Sequence, residues 1–312
     1  MPLSTLPVLS LADDKAGFAR KIGDSFKTFG FAMVKDFDID RALIDRAWAL
    51  SEAFFTLPEE EKRRYFNPAI AGARGYTPFG TEIAKDARVH DLKEFWHIGR
   101  DLPQGHPLAD ASMPPNVWPD RPEGFRETFS ELYRQFDATG ATILSAIALY
   151  LGLDEHWFDR PIEDGNSVMR LLHYPPLTDV DGEAIRAGAH GDINLITLLL
   201  GAEEAGLELL TREGKWIPAS PPEGAMVINV GDMLERLTNN VLPSTVHRVR
   251  NPNPERARYS RYSMPFFLHL RSDFAFHTLP QCITRENPDR YPVSITADAF
   301  LQQRLREIGL KK

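Results

Sequence analysis

The run Ala187-Gly-Ala-His190-Gly191-Asp192-Ile-Asn-Leu-Ile-Thr-Leu-Leu-Leu200 constrains the fold of this chain more than any other segment. In extended backbone, residues i and i+2 point to the same side, so His190 and Asp192 can converge on one point in space. The apolar run behind them reads as a buried strand. A second imidazole stands far away in sequence, in Ser244-Thr-Val-His247-Arg-Val. For His247 to share that point, two distant strands must be brought side by side, which a purely helical fold cannot do.

The rest of the chain supplies such strands. From about Ser167 onward short strands are expected over Val168–Tyr174, Asn194–Leu200, Leu207–Thr211, Trp216–Ala219, Ala225–Val230, Thr245–Val249 and Tyr259–His269, with turns between them. Strands without intervening helices indicate a sandwich or barrel. The first half reads as helical. Asp14 to Phe29 places Phe18, Ile22, Phe26 and Phe29 on one face. Ile39 to Phe55 and Glu123 to Leu151 continue that pattern, and Pro58 opens a further helix. Between residues 68 and 119 glycine and proline rise and periodicity is lost, as in a lid or substrate loop. A helix over Ala297–Ile308 closes the chain. The expectation is an α+β protein: a double-stranded β-helix (jelly-roll) core with flanking helices, mainly from the N-terminal half. Residues 1–160 form a helical region with a lid-like segment, and 161–312 form the core with its C-terminal helix.

Two imidazoles and one carboxylate cover one face of an octahedral metal and leave the other positions open, as in non-haem Fe(II) oxygenases. A structural zinc site would close all four positions, usually with sulfur. With nine histidines in the chain, His-x-Asp can arise by chance. A second constellation adds weight: Arg258-Tyr-Ser-Arg261-Tyr262-Ser263-Met-Pro-Phe-Phe267. Arg261 and Ser263 are again i, i+2, and a guanidinium fork beside a hydroxyl suits a carboxylate. An arginine facing the inside of an apolar strand needs an anionic partner. Arg258 and Ser260 offer the same spacing as a decoy. Asp232 competes with Asp192 as the carboxylate, but Asp232-Met-Leu-Glu235 has the spacing of a capping box and reads as structural. His173 and His269 read as packed or supporting histidines. His90 and His97 lie in or beside the variable middle segment and are candidates to touch substrate.

Further motifs fall in a consistent order: Leu6-Pro-Val-Leu-Ser-Leu11, Phe29-Gly30-Phe31, Phe55-Thr-Leu-Pro-Glu-Glu-Glu-Lys62, Gly75-Tyr76, Asp91-Leu-Lys93-Glu94-Phe95, Tyr174-Pro-Pro and Asn229-Val-Gly-Asp232. Together with His190-Gly-Asp192, His247-Arg-Val and Arg261-Tyr-Ser263 they resemble, almost from end to end, the isopenicillin N synthase-like family of iron(II)/2-oxoglutarate-dependent oxygenases. The family's Met-Pro-Phe-Phe follows Arg261/Ser263, which favours that pair over Arg258/Ser260. The resemblance implies Fe(II) held by His190, Asp192 and His247, with 2-oxoglutarate docked on Arg261, Ser263 and Tyr174. It also implies O2-dependent hydroxylation or desaturation of a small-molecule metabolite, coupled to decarboxylation of 2-oxoglutarate to succinate and CO2. Phe267, Phe95, His97 and Leu172 are the expected substrate wall. One departure stands out: the family often has Asn-x-Tyr where this chain has Leu172-His173-Tyr174. The alternatives are an oxidase of the same fold that needs no 2-oxoglutarate, an ethylene-forming relative, or a metal-free jelly-roll binding module.

Composition narrows the setting. Of 312 residues, 43% are hydrophobic and 26% charged, as in an ordinary globular protein. A net charge of −8 and a pI near 5.6 argue against nucleic acid or an anionic membrane as partner. The arginines between 248 and 261 surround Pro252-Asn-Pro254, which reads as a solvated loop, the alternative being a local basic rim around an acidic substrate. Cys282 is the single cysteine, so no intrachain disulfide can form, which fits a reducing compartment. No signal-peptide pattern and no long apolar span are seen. The expectation is a cytoplasmic monomer or weak homodimer.

Overall fold

Each of the first two helices starts on an aspartate whose carboxylate takes a backbone N–H that would otherwise lack a partner. Asp14 accepts from Gly17 N at the start of α1 (Lys15–Phe29), and Asp40 accepts from Ala42 N at the start of α2 (Arg41–Phe55). Helix α1 stops at Gly30, whose φ of 68° lies in the left-handed region that favours glycine. A Cβ there would lie 2.3 Å from Thr245 Oγ1 and 2.5 Å from Pro243 O. This close approach ties the turn to the segment leading into His247. Helices α3 (Glu59–Arg63), α4 (Phe125–Tyr150), α5 (Asp159–Ile162), α6 (Asp232–Leu237) and α7 (Ala297–Glu307) complete the set. The computed structural model describes residues 5–70, 72–81, 92–109, 113–176, 186–200 and 206–307.

The strands of the two main sheets are β1 (Val8–Ser10), β2 (Phe31–Lys35), β3 (Gly75–Thr77), β4 (Glu94–Gly99), β5 (Val168–Tyr174), β6 (Ala187–His190), β7 (Ile196–Leu200), β8 (Leu207–Leu210), β9 (Trp216–Pro218), β10 (Met226–Val230), β11 (His247–Val249) and β12 (Arg261–Leu268). Eight of them form one sheet in the order β1-β2-β10-β7-β12-β5-β4-β3, and four form a second in the order β6-β11-β8-β9. The larger sheet buries both faces. One face carries Trp96, Ile98, Met169, Leu171, Leu198 and Phe266 into the main core with the helices. There Phe136 of α4 stacks on Phe266 at 5.3 Å, and Phe54 of α2 meets Trp96 edge-on at 4.8 Å. The other face meets the smaller sheet, where Phe31, Met33 and Val227 pack with Leu207, Leu209 and Val249. This is the expected jelly-roll core with flanking helices.

The first half differs from its helical reading, because β1 to β4 all join the larger sheet. The stretch from 68 to 119, expected to be irregular, holds β3 and β4. All six residues of β4 are buried, so polar–apolar alternation, the signal of a half-buried strand, is missing. Residues 82–91 of the expected lid, with His90, lie outside the described residues. A buried polar cluster fixes β4 to the helical layer: Lys62 Nζ donates to Glu94 Oε2 at 2.7 Å, His173 Nδ1 donates to Glu94 Oε1 at 2.7 Å, and Tyr76 Oη also donates to this carboxylate.

Phe54 is fully buried between Trp96, Tyr76 and Phe125. Phe54→Ala should therefore cost about 3–5 kcal/mol of unfolding free energy. Denaturant unfolding reads this directly, and a loss below about 1.5 kcal/mol would mean that this layer repacks around the void.

Candidate metal centre

His190 ends β6 and His247 opens β11, and the two are direct cross-strand partners. Their rings are 4.4 Å apart, centroid to centroid. Each imidazole is oriented from behind by its own chain. His190 Nδ1 donates to Gly188 O at 2.7 Å, and His247 Nδ1 donates to Thr245 O at 3.1 Å. These bonds fix the tautomer and leave both Nε2 lone pairs for a ligand. Both Nε2 atoms face Asp192 Oδ1, at 3.9 Å from His190 and 3.8 Å from His247. Among the described residues these three side chains form the one cluster able to hold a metal ion, with all donor atoms within 4.8 Å of one another.

Asp192 is held from the opposite sheet. Thr197 Oγ1 donates to its Oδ2 at 2.6 Å and Asn229 Nδ2 donates to the same oxygen at 2.8 Å. One carboxylate oxygen is thus committed to the protein and the other is turned toward the imidazoles. The protonation states suit metal binding. Burial and the neighbouring His247 push the His190 pKa down, although nearly half of that side chain (46%) is exposed. Burial raises the Asp192 pKa, but His247, His190 and the bonds from Asn229 and Thr197 outweigh it, so the carboxyl is held below its usual range. The set offers two imidazole nitrogens and one carboxylate oxygen, the donor types that divalent iron takes.

Arg261 and Ser263 are both buried on β12, and Arg261 lies opposite Tyr174 of β5, its guanidinium carbon 5.0 Å from that ring. Arg261 Nε and Nη1 are buried without a hydrogen-bond acceptor. Arg258 is exposed on a short 3-10 turn, and Ser260 Oγ donates to His173 Nε2 at 2.9 Å. Phe95, Leu172 and Tyr174 form a separate small apolar cluster. Beside it His97 Nδ1 donates to Gly72 O at 2.7 Å, and its Nε2 accepts from Arg170 Nε at 2.6 Å. The Arg170 guanidinium covers the Phe95 ring at 4.3 Å and faces the Phe267 ring at 5.5 Å. His269 is buried with Nδ1 lacking a partner, and burial pushes its pKa down to about 4.

Asp232 corrects one reading in detail. Gly231 caps α6, with no capping bond from the Asp232 side chain. The carboxylate instead takes Arg304 Nε at 2.9 Å, while Glu235 Oε2 accepts from Ser244 N at 2.8 Å. The role is structural, through an ion pair to the C-terminal helix and not through a capping box. Sequence reasoning missed Thr197, Asn229 and Arg170. Arg170 had a legible signal, a charge in phase with Leu172 and Tyr174 along an apolar strand. The bonds of Thr197 and Asn229 to Asp192 depend on strand pairing that no local pattern reports.

Comparison with known proteins agrees with this geometry. Residues 2–121 match the family described as non-haem dioxygenase in morphine synthesis N-terminal, and residues 165–270 match the 2OG-Fe(II) oxygenase superfamily. The 2-oxoglutarate-Fe(II) type oxidoreductase hxnY of Emericella nidulans is 33% identical over 89% of this chain and 81% of its own length. A 2OG-Fe(II) oxygenase family protein of Caulobacter crescentus is 57% identical, with a TM-score of 0.91 over 97% of this chain and 99% of that one. A full-length Neurospora crassa protein, solved in complex with alpha-KG and thymine, is 29% identical with a TM-score of 0.85, covering 97% and 96%. The chain belongs to the 2OG-Fe(II) oxygenase superfamily. It is a 2-oxoglutarate-dependent dioxygenase that uses Fe(II), 2-oxoglutarate and O2.

Removing the groups behind Asp192 tests how the centre is built. Asn229→Ala combined with Thr197→Val should weaken divalent-metal binding by about 10–100-fold while the fold persists. Titration with Co(II) followed by absorbance measures it, and unchanged affinity would show that Asp192 needs no support.

Proposed function

We propose that His190 Nε2, His247 Nε2 and Asp192 Oδ1 hold the iron and that 2-oxoglutarate docks its far carboxylate on Arg261 and Ser263, with Tyr174 against it. The observation that carries this reading is Arg261: a buried guanidinium with two donor atoms unpaired, on the strand next to Tyr174. A carboxylate ligand removes the cost of leaving such a group unmatched. When bound, the metal supplies oxygen activation coupled to decarboxylation of 2-oxoglutarate. The chain's own residues bind, orient and exclude water. Asp192 and the Nδ1-protonated histidines keep the metal-facing atoms fixed. Leu172 stands where relatives often carry Asn, so the polar support on that side comes from Arg261 and Ser263.

The substrate wall in this reading is Phe95, His97, Leu172 and Phe267. The region 1–160 contributes Phe95 and His97 through β4, and the region 161–312 contributes the metal and cosubstrate residues. The reaction is hydroxylation or desaturation. Among the described residues no helix is long and apolar enough to cross a membrane. The single cysteine and the net charge of −8 favour a cytoplasmic protein without a nucleic-acid partner, and this reading takes it as a monomer or weak homodimer.

Arg261→Leu removes a charge-assisted contact worth roughly 2–5 kcal/mol, and each ~1.4 kcal/mol is tenfold in affinity. The KM for 2-oxoglutarate, read by succinate formation, should rise by about 30-fold or more, while metal binding persists. Arg258→Leu should change it little. An unaltered KM in Arg261→Leu would place the cosubstrate carboxylate elsewhere.

A further inference from the structure

Among the arginines on the inner face of the larger sheet is one, nearly fully buried, that neither the metal nor the cosubstrate uses. Arg74 sits just before β3 and is only 2% exposed. Its Nη1 donates to Ala73 O at 2.7 Å, but Nε and Nη2 are buried with no partner. These two atoms form the side-on edge of the guanidinium, the edge that matches the two oxygens of a carboxylate. The polar groups around it have other partners. The two titratable groups that face it are Tyr133 and Asp101: Tyr133 Oη donates to Ser167 O at 2.9 Å, and Asp101 Oδ1 accepts from Asn116 Nδ2 at 2.8 Å. A buried cation left in this condition is costly, so the unpaired edge calls for an explanation.

Its place in the sheet supplies one. The guanidinium occupies the position where a side chain on Gly99 would be, since a Cβ there would lie 2.0 Å from Cζ and Nη2. Gly99 shares its face of β4 with Phe95 and His97. One row of cross-strand partners runs from Gly99 to Val168, to Phe267 and to Thr197, and Thr197 is the residue that holds Asp192. Arg74 and the metal carboxylate therefore stand at the same level of the same face, three strands apart, on the order of 14 Å between backbones. Between them lie the Phe267 ring and the Arg170 guanidinium, which Phe95 and His97 flank. That span suits a small molecule reaching from Arg74 to the metal.

Resting on the site assigned under the proposed function, we infer that Arg74 is the docking residue for the main substrate, and that this substrate is a small organic acid. Its carboxylate pairs with Nε and Nη2 of Arg74, its apolar body lies against Phe267 and Phe95, and the carbon to be oxidised points to the metal. Glycine at position 99 keeps the space for the guanidinium.

The test uses the full chain loaded with Mn(II) and saturated with 2-oxoglutarate, so that Arg261 is already occupied. Phenylacetate and benzoate are compared with phenylacetamide and benzamide by calorimetry. The acids should bind at least about tenfold more tightly than the amides. Arg74→Met and Gly99→Ala, the latter displacing the guanidinium without deleting it, should both abolish that preference and leave 2-oxoglutarate affinity unchanged. Ligand-free Arg74→Met should melt no lower than the parent protein, since an unpaired buried cation is lost. Equal binding of acids and amides by the parent protein, weak or absent binding of both included, overturns the inference. So does a preference that survives Arg74→Met, or a melting temperature lowered by several degrees, which marks a structural arginine. Failure of 2-oxoglutarate to bind the parent protein would count against the Arg261 site alone, because the loss of the acid preference in Arg74→Met can still be read with Mn(II) by itself.

Discussion

The carboxylate of Asp192 divides its two oxygens between the two sheets, and the rest of the site depends on that division. Oδ2 is tied to Thr197 and Asn229 on the larger sheet, while Oδ1 faces the two imidazoles that the smaller sheet contributes. Metal binding therefore ties the two sheets together at the point where their separation matters most. If the sheets spread, the carboxylate has to leave either its supporting hydrogen bonds or its metal. The residues that hold Asp192 lie on β7 and β10, strands whose other face is packed into the main core. Precision at the metal is thus set by close packing behind it.

The same face of the larger sheet carries unmatched positive charge. Arg261 and Arg74 are both buried with unpaired guanidinium nitrogens, at places where an apolar side chain would pack with less cost. Their neighbours explain why each can be kept there: Arg261 lies over Tyr174, and Arg74 lies over the bare backbone of Gly99. Two buried cations with unpaired donor atoms on one face favour anionic ligands there.

Much of this was legible because the face periodicity of a strand is strict. The i, i+2 spacing put Arg261 with Ser263 on β12, and β5 runs over Val168–Tyr174, the residues expected; His190 and Asp192 also meet, although β6 ends at His190 and Asp192 lies just beyond it. The apolar spacing of Phe18, Ile22, Phe26 and Phe29 located α1 in the same way. What escaped was of three kinds. Strand β4 is buried on both faces, so Glu94-Phe-Trp-His-Ile-Gly99 lacks alternation, and its one carboxylate is neutralised by Lys62, distant in sequence. The hold of Thr197 and Asn229 on Asp192 arises from pairing between strands far apart in the chain. Asp232 has the spacing of a cap, but the N-cap lies one residue earlier, at Gly231, and the Asp232 carboxylate is taken by Arg304.

The central claim is the split carboxylate, and a crystal structure of the protein with Mn(II) and 2-oxoglutarate tests it most directly. The account predicts one ion bound by Nε2 of both histidines and by Oδ1 of Asp192, with Oδ2 still accepting from Thr197 and Asn229. An ion bound through both oxygens of Asp192, through Nδ1 of either histidine, or through Asp232 would contradict it.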